Sequence, residues 1–255
     1  MSNLIVEKGA LDLTIAINRP ESSNALSLSL IKELLEVLSE YEDNHEIKSV
    51  VITGTGNKCF AAGGDIKELY EVRSEKAIES MIAIGRRTID KIRYYPVPIL
   101  ALMNGHALGG GAELAIACDY RVAAERATFG FVHSTLNITT AWGGIIDLID
   151  IVGNRKALLT LIEGKALTTS EAYKIGILDS VCPNVEDATR DIKNIQKRIN
   201  NCSSSIIRAN KLIINEHKRT IHKGLKEFEN REFKRSWSSE EHWESMNKLF
   251  SKSSS

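Results

Sequence analysis

Apolar positions along the chain switch between two periods. Leu4-Ile5-Val6 and Leu11 to Ile17 are short β-like runs parted by a Lys8-Gly9 turn, and the second opens with apolar and polar residues in alternation, as a half-buried strand does. Asn18-Arg19-Pro20 ends it. Leu30, Ile31, Leu34, Leu35 and Leu38 then recur at helical spacing behind Ser27, whose hydroxyl suits an N-cap, so the pattern predicts a helix running to Tyr41. Val50-Val51-Ile52-Thr53-Gly54 and Ile99 to Met103 are apolar runs that stop at glycine turns, the pattern of buried strands. Strand and helix in this alternation predict an α/β domain with crossover connections. Beyond about residue 195 the strand pattern stops, and 206–216 and 222–233 are helical in pattern and rich in Lys, Arg and Glu. The chain thus divides into a mixed core over residues 1–195 and a helical region over 196–255, with the closing Ser-Lys-Ser-Ser-Ser expected to fray.

Composition narrows the function classes. With 33 basic and 33 acidic residues the 255-residue chain is formally neutral, so no global field draws it to nucleic acid. Cys59, Cys118, Cys182 and Cys202 are far apart, with neither a CxxC pair nor metal-ligand spacing, so no disulfide framework and no metal site are expected. The N-terminal stretch carries no basic patch ahead of an apolar run, and no stretch approaches the roughly eighteen apolar residues of a membrane span. The expectation is a cytoplasmic protein that engages neither membrane nor nucleic acid.

Two glycine-rich turns carry the chemistry. Cys59-Phe60-Ala61-Ala62-Gly63-Gly64-Asp65-Ile66-Lys67-Glu68-Leu69 and Asn104-Gly105-His106-Ala107-Leu108-Gly109-Gly110-Gly111-Ala112-Glu113-Leu114-Ala115 each follow a strand pattern and open a helical one. Small residues there let a ligand approach the backbone, and a helix start leaves amide N–H groups unpaired, which suits developing negative charge. Either turn alone reads equally well as a phosphate cradle or as a tight turn without a ligand. Neither has the spacing of a P-loop or of a dinucleotide fingerprint.

Taken together, AAGGDIKEL and, about forty residues on, NGHALGGGAELAIACD resemble the paired signature of the crotonase (enoyl-CoA hydratase/isomerase) superfamily. The likeness extends to Asn18-Arg19-Pro20…Asn24-Ala25-Leu26 and to Gly164-Lys165-Ala166-Leu167…Ala172…Gly176-Ile177. It implies a crotonase-like ββα spiral core with C-terminal helices, assembled as homotrimers or hexamers. It implies acyl-CoA thioester substrates, with coenzyme A part of the substrate and no separate cofactor. Gly64 and Gly110 match the residues whose backbone N–H groups hold the thioester oxygen as it becomes an enolate. Ala25, Ala62, Asp65, Ile66 and Lys67 fall in segments that line the CoA groove in the family. Lys67 reads either as a phosphate contact or as a solvated helix lysine. Lys248, Phe250 and Lys252 lie where the family's tail approaches CoA.

Around that shared centre the side chains decide the reaction. Hydratases of the family hold a water between two glutamates. Glu113 matches the first, but the segment Phe129-Gly130-Phe131-Val132-His133 has His133 where the second belongs. Downstream, Thr140-Ala141-Trp142-Gly143-Gly144 replaces the usual Pro-Gly-Ala-Gly-Gly turn, and Trp142 reads either as a wall of the acyl pocket or as core packing. This combination, with Trp237 as a weaker point, looks like the ethylmalonyl-CoA decarboxylase branch. The resemblance therefore implies decarboxylation of a short malonyl-type thioester, methylmalonyl- or ethylmalonyl-CoA. Hydration or isomerisation with an unusual acid–base pair, either chemistry on a carrier-bound acyl group, and a non-catalytic or RNA-binding member are the competing readings. Which of Glu113 and His133 moves the proton stays open at this level. His106 matches a variable position of the motif and is read as non-catalytic, and Asp119 is read as structural.

Overall fold

The computed structural model describes residues 2–253. β1 (Leu4–Lys8) and β2 (Asp12–Ile17) form an antiparallel hairpin closed by the Gly9 amide donating to Asp12 at 2.9 Å. β2 buries Leu13, Ile15 and Ile17 in turn, so its alternation becomes one core-facing side. α1 (Leu28–Tyr41) starts where Ser27 Oγ accepts the Leu30 amide at 3.2 Å and buries all five leucines and isoleucines of its stripe. Each such side chain contributes about 1.5–3 kcal/mol on leaving water.

The chain then alternates between two sheets. β3 (Ser49–Gly54) is followed by β4 (Cys59–Ala61), α2 (Ile66–Leu69) and the long α3 (Glu75–Arg93). β5 (Ile99–Met103) is followed by β6 (His106–Leu108) and α4 (Gly110–Ala117). β7 (Tyr120–Ala124) is followed by β8 (Thr128–Gly130), a 3-10 turn at Val132–Leu136 and α5 (Gly144–Glu163), which is interrupted at Gly153. β1-β2-β3-β5-β7 lie in one sheet with β10 (Ser180–Cys182) at its far edge, and β4-β6-β8 lie in the other with β9 (Leu167–Thr168). Successive strand pairs thus step from sheet to sheet before a helix returns the chain, which is the expected ββα spiral. α6 (Thr169–Ile175) bridges β9 and β10, and α7 (Val185–Asn200), α8 (Ser204–Trp237) and α9 (Glu240–Ser253) complete the chain.

The motif asparagines serve the fold. Asn24 and Asn104 both donate to the Cys59 carbonyl, at 2.7 and 3.3 Å, and so tie the loop ahead of α1 and the end of β5 to the start of β4. The helical region differs in detail from the sequence pattern. α7 begins ahead of residue 195, and the segments 206–216 and 222–233 belong to one helix of 34 residues that runs through Gly224. A helix-interior glycine costs about 1 kcal/mol, too little to break a helix anchored on either side by buried Lys211 and Asn215 and by buried Glu229, Phe233 and Trp237. α9 continues through Ser253, into the run expected to fray, and Ser254 and Ser255 lie outside the described residues. Among the described residues no helix is long and apolar enough to cross a membrane.

Candidate active site

β4 and β6 run parallel as neighbours, so the glycine turns that follow them meet. A Cβ on Gly63 would lie 3.2 Å from the Leu108 carbonyl and 3.9 Å from the Gly110 nitrogen. Gly109 holds φ 52° and ψ −124°, a conformation open to glycine alone, and this turns the chain sharply into α4. On the other strand, the Leu26 amide donates to Gly63 at 2.7 Å and the Asp65 amide donates to Leu26 at 3.2 Å. The Gly64 amide between them, like the Gly110 amide in the first turn of α4, donates to no backbone carbonyl among the described residues. Both glycines line one cavity of about 490 Å³.

Glu113, one turn into α4, enters the same cavity with 2% of its surface exposed. Its Oε2 accepts the amides of Trp142 and Gly144 at 2.9 and 3.0 Å, and its Oε1 lies 3.3 Å from His133 Nε2. Burial pushes the Glu113 carboxyl up. The hydrogen bond and charge of His133, with the two amides, outweigh that and hold it below the ordinary carboxylate range. His133 is stacked on Phe131, and its Nδ1 has no hydrogen-bond partner among the described residues. With an ionised carboxylate at Nε2, that nitrogen carries the proton, and Nδ1 is buried without a partner among the described residues.

Trp142 forms a wall of the cavity and spans from Gly110 to Gly85 of α3. A Cβ on Gly110 would fall 2.6 Å from its Cζ3, and one on Gly85 only 2.0 Å from its Nε1. Met81, Ile138, Phe233, Trp237 and Met246 extend the apolar lining, so α8 and α9 contribute to the cavity wall.

Of the residues singled out in the sequence, Ala62, Gly64, Ile66, Gly110, Glu113, His133 and Trp142 come together here, joined by Trp237 and Lys248. Ala25, Asp65 and Lys67 lie outside this lining. Arg19 takes the Ala25 carbonyl at 2.7 Å and the Asp65 carboxylate at 2.8 Å, and Lys67 is exposed on α2. Phe250 stacks on Tyr70, and the Lys252 side chain lies outside the described residues. His106 faces Thr128 at 2.9 Å, and Asp119 accepts the Ile99 amide at 2.9 Å and pairs with Lys211 at 2.7 Å, both away from the cavity. Among the described residues no His, Cys, Asp and Glu cluster is arranged to hold a metal ion.

Arg86, Arg93 and Glu229, which surround the Trp142 turn, were not read from the sequence. The available signal was a charge inside an apolar stripe: Arg86 stands four residues after Ile82 and three before Ile89.

The fold and the paired glycine turns define an acyl-CoA enzyme of the crotonase class. The sequence matches the Enoyl-CoA hydratase/isomerase family over residues 9–254, and the chain belongs to that family. A probable mitochondrial enoyl-CoA hydratase of Dictyostelium discoideum is 34% identical over 96% of this chain and 87% of its own length. The ethylmalonyl-CoA decarboxylase of Bos taurus is 32% identical over 72% of this chain and 59% of its own length. The crystal structure of an enoyl-CoA hydratase from Bacillus halodurans superimposes with a TM-score of 0.89, at 25% identity, over 96% of this chain and 99% of that one.

Proposed function

We propose that the protein decarboxylates a short malonyl-type CoA thioester, methylmalonyl- or ethylmalonyl-CoA. The observation that carries this reading is the state of Glu113. Its carboxylate is taken up by two amides and His133 and held below its ordinary pKa, which makes it a poor base. Hydration and isomerisation begin with proton removal from water or from carbon. Decarboxylation begins without a base. As CO₂ leaves, the electron pair of the breaking C–C bond becomes the enolate, whose oxygen the Gly64 and Gly110 amides receive. The α-carbon then takes one proton from the His133 imidazolium, and solvent restores that proton. Glu113 stabilises the imidazolium and fixes its orientation. Ala62 and Ile66 flank the thioester, and Trp142 limits the acyl group to a short or branched one.

Hydration of a short enoyl-CoA is the second reading, favoured by the hydratase names that dominate among the relatives. Assays of purified protein on crotonyl-, methylmalonyl- and ethylmalonyl-CoA separate the two. CO₂ release from a malonyl thioester is expected, and fast crotonyl-CoA hydration with no CO₂ release from either malonyl thioester would overturn the proposal.

The same reading includes a homotrimer, alone or stacked as a hexamer. Leu158, Leu159 and Ile162 of α5 and Leu212, Ile213 and Ile214 of α8 are exposed, an apolar surface larger than scattered single residues explain.

A further inference from the structure

Two arginines of α3 grip the turn that carries Trp142. Arg86 and Arg93 are seven residues apart, two helical turns, and both are buried. Arg86 Nη2 donates to the Ala141 carbonyl at 2.8 Å and Arg93 Nη2 to the Trp142 carbonyl at 3.1 Å. On the opposite side of the turn, the amides of Trp142 and Gly144 point at Glu113. The turn is therefore held by its carbonyls from α3 and by its amides from α4.

Each arginine has a buried counter-charge. Arg93 meets Asp147 of α5 at 2.6 Å. Arg86 meets Glu229 of α8, and it also donates to Asn230 at 3.1 Å. Glu229 in addition accepts the hydroxyl of Thr140, the first residue of the turn, and Thr140 Oγ1 accepts the Ile145 amide at 3.2 Å. Two apolar side chains would fill this space without desolvating two charges, so stability alone does not call for an ion pair here. An inward carbonyl does call for a donor, since a buried acceptor left unpaired is costly.

We infer that Arg86 and Glu229 are a positioning pair that fixes the Thr140–Gly144 turn, and through it Trp142 and the Glu113–His133 pair, for proton transfer. The inference rests on the reading that Glu113 and His133 handle the proton, but its geometry can be read without turnover. Neither residue touches the substrate. The pair makes the last long helix, which adds no strand to the core, a requirement for an ordered site.

The test compares wild type, Arg86→Met/Glu229→Met and Thr140→Val, each also labelled with 5-fluorotryptophan, with the Trp142 ¹⁹F resonance assigned from Trp142→Phe. In the double variant the apolar pair restores packing without buried charges, but the Ala141 carbonyl loses its donor, so Tm falls and kcat is read per folded molecule. Misplacing the turn should lower kcat by about 10²-fold with KM within about three-fold, and move the Trp142 resonance but not that of Trp243. A purely structural pair predicts a lower Tm with kcat per folded molecule and the Trp142 resonance unchanged, and that result overturns the inference. If the double variant does not fold, Thr140→Val decides, because it removes one hydroxyl and leaves the charges paired. A fall in kcat of about 10-fold is then expected, and an unchanged kcat overturns the inference. If wild type turns over neither malonyl thioester, the proposed reaction fails on its own, and the Trp142 resonance still decides the positioning role.

Discussion

The indole of Trp142 occupies the space that a side chain on Gly85 would need: a methyl group there would sit 2.0 Å from Nε1 and 2.2 Å from Cε2. Gly85 lies in the middle of α3, where alanine would normally favour the helix by about 1 kcal/mol. Packing outweighs that preference, because the obstacle is a buried ring and not the end of a flexible side chain. Gly85→Ala should therefore destabilise the protein by about 1–3 kcal/mol and displace the indole. Thermal unfolding checks the first effect. Altered acyl selectivity checks the second, and an alanine variant that matches wild type in both would show that the indole relaxes freely.

Trp142→Ala tests the pocket from the other side. Removing a buried tryptophan costs about 3–5 kcal/mol and leaves a cavity beside Gly110. Rates on a short malonyl thioester should fall relative to those on a longer-chain analogue. A selectivity ratio that does not move would place the acyl group elsewhere.

Decarboxylation run in deuterated water should give a product carrying one deuterium at the α-carbon, on a single face if His133 delivers it. His133→Ala and Glu113→Gln should each slow CO₂ release by about 10²–10⁴-fold. The residual product of His133→Ala should be deuterated on both faces, because solvent then meets a free enolate. Single-face deuteration by His133→Ala would remove His133 from the donor role.

Acid stability should report on Asp147. Burial pushes its carboxyl up, but the charge of Arg93 and the hydrogen bonds from His222 and Arg93 outweigh that and lower it from 3.8 to about 2. A depressed carboxyl stabilises the fold fully above its unfolded value, and that contribution is lost as pH falls through the folded value. About 2 kcal/mol should thus disappear between pH 3.8 and about 2. Urea unfolding across this range should show a shallower loss for Asp147→Asn, already weaker at neutral pH because Arg93 loses its counter-charge. Parallel curves for variant and wild type would contradict this account.

Three copies of a 28.3 kDa chain should sediment at about 85 kDa, or twice that as a hexamer. Ile213→Glu and Leu159→Glu place charges on exposed apolar surface, so they should shift the protein toward monomer without unfolding it. Sedimentation velocity gives the answer, and a wild type that runs as a monomer at micromolar concentration ends the proposal.

The sequence by itself determined the elements with strong local codes. The hairpin at Gly9, the Ser27 cap, the apolar stripe of α1 and the buried strands β3 and β5 follow from period and turn chemistry, which act within a few residues. The two glycine turns were equally legible, because only glycine serves where a turn takes φ 52° and ψ −124°, as at Gly109, or where a ring packs on the backbone, as at Gly110. Tertiary structure decided what is made by residues far apart in the chain. His133 and Glu113 are read separately as a displaced second glutamate and a retained first one; only the packing of α4 against the Val132–Leu136 turn makes them a pair at 3.3 Å. Arg86, Arg93 and Glu229 resemble solvated helix charges in a local window. Their burial depends on α8 crossing α3, which brings together positions as far apart in the chain as Arg86 and Glu229, separated by 143. Periodicity records which face of a helix is apolar. It does not record which distant carbonyl a charge on that face will meet.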